Sequence, residues 1–194
     1  MIEHRLFAEG TVPEWTTPGW HAQRERAPHL EQAGHRPRLE VAAKMVMIPW
    51  LPGMTVVDLG AGDGGLLSLL DNVPIEAKWG YDLTPENCAG AAGRDQDVRL
   101  GDCVDGDIEW GDIAIATEML EHLVDPHGFV SRIAEHSQFL VASSPWTETK
   151  MGHYEFHTWA WDVEGYARML ESNGWSILTH VTVSWFQVAL AERV

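Results

Sequence analysis

The chain holds 194 residues, 45% hydrophobic and 22% charged, a composition that fits one packed globular domain and excludes a disordered or fibrous chain. Its 13 basic and 29 acidic residues leave a net charge of −16; the first 50 residues balance, so the whole excess falls on residues 51–194 and argues against nucleic acid as a partner. No run approaches the ~18 apolar residues of a membrane helix, and two cysteines, Cys88 and Cys103, are too few for a disulfide framework.

Residues 1–28 carry Pro13, Pro18, Gly19 and Pro28 around Trp15 and Trp20, and read as an arm without regular elements. From His29 the pattern turns helical: Leu30, Leu39, Ala42, Ala43, Val46 and Met47 share an amphipathic spacing, Pro37 starts or kinks its second half, and Pro49 and Pro52 end it. Residues 1–50 therefore form an N-terminal arm and helix, expected either as a lid or as a helix covering the sheet with a frayed tail. Beyond them the chain alternates. Strands are predicted at 55–59, 77–83, 97–100, 112–116 and 138–143, with helices at 64–70, 85–92, 126–135 and 158–172, the last closed by Asn173 and Gly174. Two more strands, 176–183 and 186–192, stand too close for a crossover helix and must form an antiparallel hairpin. The expectation is an α/β fold: a Rossmann-like three-layer sandwich around a seven-stranded, mostly parallel sheet with an antiparallel last strand.

The sharpest feature is the run 56–65, Val-Val-Asp-Leu-Gly-Ala-Gly-Asp-Gly-Gly, which follows a strand and opens a helix. Gly60 and Gly62 allow backbone conformations closed to other residues and let a ligand approach the free N–H groups at the helix start. Gly60, Gly62 and Gly65 also satisfy the dinucleotide-binding pattern, so an NAD(P)-linked oxidoreductase stands as an alternative. Asp82, at the end of the second strand, is placed to accept from ribose hydroxyls. Asp102 follows the third strand; it is placed to accept from an adenine amino group while the Cys103 N–H donates to a ring nitrogen.

Together these segments resemble a class I S-adenosylmethionine-dependent methyltransferase over roughly residues 50–194. The run 56–64 resembles the family's first motif, 80–84 (Gly-Tyr-Asp-Leu-Thr) its second and 100–103 (Leu-Gly-Asp-Cys) its third; the Glu-x-x-Glu-His run at 118–122 resembles a signature of the small-molecule branch. The resemblance implies S-adenosyl-L-methionine as cofactor, held by Asp58, Gly60, Ala61, Gly62, Asp82, Leu83, Asp102 and Cys103, with Thr117 on its methionine side. It implies methyl transfer to oxygen, nitrogen or carbon of a small or medium-sized molecule; a non-catalytic protein of the same fold is the other alternative.

Two histidines are the catalytic candidates. His122 lies four residues after Glu118 and is expected either as a base near neutral pH or as a structural ring bonded to the loop. His153, Glu155 and His157 are spaced two apart in the loop after the fifth strand, where substrates enter this fold; that spacing suits substrate contact or a surface role, and without a third ligand in the pattern no metal is assigned. Residues 1–10 lack the apolar core of a signal peptide, so a cytoplasmic location is expected.

Overall fold

The computed structural model describes residues 2–194. Strands β2 (Val56–Leu59), β3 (Lys78–Asp82), β4 (Val98–Leu100), β5 (Ile113–Thr117), β6 (Phe139–Pro145), β8 (Trp175–Val183) and β9 (Phe186–Arg193) form one seven-stranded sheet in the order β4-β3-β2-β5-β6-β9-β8. Every neighbouring pair from β4 to β6 is parallel, whereas β9 is antiparallel to both β6 and β8. The last strand alone is reversed, as the short hairpin connection requires.

The central strands are buried on both faces because alternate side chains enter two different cores. Val57, Leu59, Ala114, Ala116, Leu140 and Ala142 pack toward α5 (Pro126–His136) and α6 (Val163–Glu171), through Phe129, Ile133, Tyr166 and Leu170. Val56, Ile113, Ile115, Val141, Val188 and Leu190 pack on the other face against Leu39, Ala42 and Val46 of α2 (Arg36–Val46) and Leu66 of α3 (Gly65–Ser68). The remaining helices are the single turn α1 (Pro18–His21) and α4 (Pro85–Ala92), which contacts β3 and β4.

Two expectations need correction. The stretch 158–172 is not one helix: Trp159–Trp161 is a strand, β7, and α6 begins only after it, with the Asp162 carboxylate accepting from the Gly165 N–H at 2.7 Å. The arm is likewise not free of regular structure, because β1 (Glu3–Arg5) pairs antiparallel with β7, Glu3 opposite Trp161. The apolar Trp-Ala-Trp run fits a helix face or a buried strand equally well, and a partner more than 150 residues away in sequence decides between them. No helix among the described residues is long and apolar enough to cross a membrane.

Candidate functional site

A cavity of about 770 Å³ opens at the carboxyl ends of the parallel strands, and Asp58, Gly60, Ala61, Gly62, Asp82, Leu83, Asp102, Cys103 and Thr117 all line it. His122 and His157 line it as well. Residues from β2, β3 and β5 and from the loop after β4 are thereby brought to one surface, the crevice where ligands bind in open α/β sheets.

The glycine loop is built by three left-handed residues: Gly60, Gly62 and Gly64 have φ of 75°, 57° and 71°. The N–H groups of Gly60 and Ala61 both donate to the Tyr81 carbonyl at 2.9 Å, folding the loop onto the end of β3. The Gly62 N–H donates to Asp82 Oδ2 at 2.8 Å. Asp82 Oδ1 accepts from Thr84 N at 2.8 Å and from Asn87 Nδ2 at 3.1 Å, so its orientation is set from three sides. A carboxylate offers about four acceptor positions, which leaves capacity for a ligand hydroxyl. Asp102 Oδ1 accepts from Val104 N at 2.9 Å and Asp105 N at 3.3 Å. Burial pushes the Cys103 thiol up to about 12, with the acids Asp102 and Asp82 adding to the shift, so the side chain is an inert wall and only its backbone is available for recognition.

Burial also raises Asp58 to about 7, Asp82 adding to the effect and Arg38 opposing it. Its Oδ1 is buried without a hydrogen-bond partner. Arg38 of α2 is 1% exposed, its Nε is equally unpartnered, and its guanidinium lies 5.1 Å from the Phe186 ring centroid. Asp63, which lines the cavity, is held in an ion-pair network: Arg26 and Arg94 reach its Oδ2 at 2.7 and 2.9 Å, and both guanidiniums also pair with Glu31.

The N-terminal segment closes one side of the cavity through His21, Arg24, His29 and Arg38. It is tied down by Thr84 Oγ1 donating to the His21 carbonyl at 3.1 Å, by the Ala27 N–H on Asn87 Oδ1 at 2.9 Å, and by Trp20 against Phe156 at 5.0 Å.

Beside this segment, Glu118 has φ of 55° and accepts from Ser143 Oγ at 3.0 Å, the hydroxyl that Arg38 Nη1 also approaches at 3.5 Å. This left-handed residue breaks the backbone before a 3-10 turn, Leu120–His122, which puts Glu121 beside His122. His122 Nδ1 lies 3.0 Å from the Phe156 carbonyl, to which it can only donate. Burial, then the neighbouring His157, lowers His122 to about 3, so it is a weaker base than the sequence suggests. His157 Nδ1 meets Glu148 Oε2 at 2.6 Å, and the two imidazoles stand edge to face with centroids 4.7 Å apart. Of the trio in this loop only His157 turns inward; His153 and Glu155 are exposed.

Sequence reasoning missed Arg38, Glu121 and Glu148. Arg38 has a readable signal, a cation beside the buried Leu39 position of an amphipathic helix. Glu121 belongs to the quoted Glu-x-x-Glu-His run. Glu148 has none.

No protein-family model matches the sequence, and comparison with curated proteins finds no match. Solved structures do match. The N-methyltransferase NodS from Bradyrhizobium japonicum WM9, in complex with S-adenosyl-L-homocysteine, has a TM-score of 0.71 at 14% identity, over 92% of this chain and 97% of that one. The magnesium protoporphyrin IX methyltransferase ChlM from Synechocystis PCC 6803, with S-adenosylhomocysteine bound, gives 0.68 at 17%, over 97% and 91%. The small RNA methyltransferase HEN1 gives 0.69 at 21%, over 88% of this chain but 26% of that one.

The fold is that of a class I S-adenosylmethionine-dependent methyltransferase. Within that methyltransferase fold, the three acids at the ends of β2, β3 and β4 and the glycine loop between them occupy a single cavity. At these identities the likeness carries the architecture, and the chemistry has to be argued from the side chains.

Proposed function

We propose that this chain binds S-adenosylmethionine and transfers its methyl group to a small or medium-sized molecule. The observation that carries the reading is that Asp82 and Asp102 line one cavity with the glycine loop. Asp82 takes the ribose hydroxyls, Asp102 the adenine amino group, and the Cys103 N–H a ring nitrogen.

The fit to the amino-acid half rests on two buried atoms. Asp58 Oδ1 and Arg38 Nε are unpartnered, opposite in charge type, and belong to residues lining the same cavity. A ligand carrying both an ammonium and a carboxylate satisfies both, and so removes the cost of two orphaned polar atoms. Thr117 ends β5 and lines the same cavity. A sulfonium methyl needs an aligned nucleophile and leaves behind a neutral thioether, so what the chain must supply is alignment, worth on the order of 7–11 kcal/mol in the best cases. The N-terminal segment serves as the lid that excludes water, and His122 and His157, which line the same cavity beside it, meet the acceptor.

Calorimetry with S-adenosylhomocysteine tests the reading. Saturable binding that weakens at least tenfold in Asp82→Ala and in Asp102→Ala is the expected outcome; no binding, or tight binding of NADH in its place, defeats it. The acceptor is tested separately, by turnover of small hydroxylated or amino compounds against a short oligoribonucleotide. The net charge favours the small molecule.

A further inference from the structure

We propose that Glu121, His122 and His157 form a binding site for a divalent first-row transition cation in the wall of the cavity. One ligand atom from each lies within 4.8 Å of the others, so small side-chain rotations bring all three onto one ion. Glu121 is 0% exposed and neither of its carboxylate oxygens has a hydrogen-bond partner. An acid in that position is costly to bury unless a positive charge meets it.

The two histidines point to the same occupant. The Nδ1 of His122 donates to the Phe156 carbonyl, and the Nδ1 of His157 is held by Glu148. In each neutral ring the free lone pair is then on Nε2. A backbone carbonyl on one imidazole and a carboxylate on the other are the outer partners that orient metal-binding histidines. The backbone around them is pinned: Thr158 N and Oγ1 both donate to the Glu121 carbonyl, at 2.6 and 2.7 Å, tying the residue after His157 to the residue before His122. Two imidazoles and one carboxylate suit zinc, manganese, iron(II) or cobalt better than magnesium or calcium, which favour all-oxygen sets.

His122 and His157 both line the cavity, so a cation they hold faces its contents. If the proposed methyl transfer is correct, the acceptor class this selects is a hydroxyl compound, whose oxygen a bound cation polarises and acidifies. The site itself does not depend on that transfer.

The test uses the full chain stripped of metal by a chelator and titrated with CoCl2, followed by the visible absorption of cobalt, and with ZnCl2 in competition. One equivalent bound with nitrogen-ligand bands, displaced by zinc, is the expected result. Glu121→Gln and His157→Ala should each weaken cobalt binding tenfold or more. His153→Ala, exposed on the same loop, should leave it unchanged, with circular dichroism checking the fold of each. No saturable cobalt bands in the unaltered protein, or affinities indifferent to both substitutions, overturn the proposal and leave Glu121 a buried, protonated carboxyl. Should the variants not fold, the unaltered protein's titration decides. Calorimetry with S-adenosylhomocysteine on metal-free protein reads the donor site alone, so failure of either reading is seen separately.

Discussion

Asp82 Oδ2 accepts the Gly62 N–H at 2.8 Å, so the carboxylate at the end of β3 braces the glycine loop that leaves β2. The same side chain that is proposed to grip a ribose therefore shapes the neighbouring half of the site. Asp82→Ala should lose both functions: affinity for S-adenosylhomocysteine falls at least tenfold by calorimetry, and urea denaturation shows a loss of about 1–3 kcal/mol from the unpaired donors it leaves. Asp82→Asn, which keeps one acceptor oxygen, should fall between.

Gly80 is a packing requirement rather than a turn. A Cβ there would stand 2.5 Å from Ala61 Cβ and 3.0 Å from the Asp58 carbonyl. Gly80→Ala must push the loop away from β3, at a cost of about 1–3 kcal/mol. A lowered melting temperature together with weakened cofactor binding is the expected pair of results; an unchanged protein would show that the loop has slack.

Asp58 gives the fold a pH dependence of definite sign. Its pKa is near 7 when buried, against 3.8 for the unshifted group. Between those values the native state holds a proton that the unfolded chain has released, so this residue's contribution to stability declines as pH rises from about 4 to about 7 and then levels off. Asp58→Asn should flatten that part of the stability curve measured by denaturant titration. Ligand ammonium favours the ionised carboxylate, so binding should tighten through the same interval.

Asp63 holds the N-terminal segment to the glycine loop through Arg26, and to the end of α4 through Arg94. It is almost fully buried, and Arg26 is the more exposed of its two partners. Asp63→Ala leaves Glu31 as the one acid for both guanidiniums and should lower stability. Arg26→Ala leaves Arg94 in place and should cost less. Both should speed tryptic cleavage after Arg24, the readout of a loosened segment.

Much of this was legible locally. The alternation of apolar runs, the turn residues and the short final connection carry the sheet and its reversed last strand. The glycines and the acids at strand ends mark the cavity at the carboxyl ends of the strands, because each sits at a fixed place in its own strand-turn-helix unit. The loops were harder. Trp159 and Trp161 fit a helix face by their spacing, and the strand partner β1 decides against it.

The sequence by itself determined the seven strands of the main sheet and the helices between them in chain order, the glycine turn and the placing of Asp58, Asp82 and Asp102 near successive strand ends, since periodicity and turn chemistry act over a few residues. Only the tertiary structure decided that Arg38 and Asp58 are buried with unpartnered atoms, and that Glu121 and His122 meet His157. Burial and charge pairing are properties of neighbours in space, and those neighbours come from segments far apart along the chain.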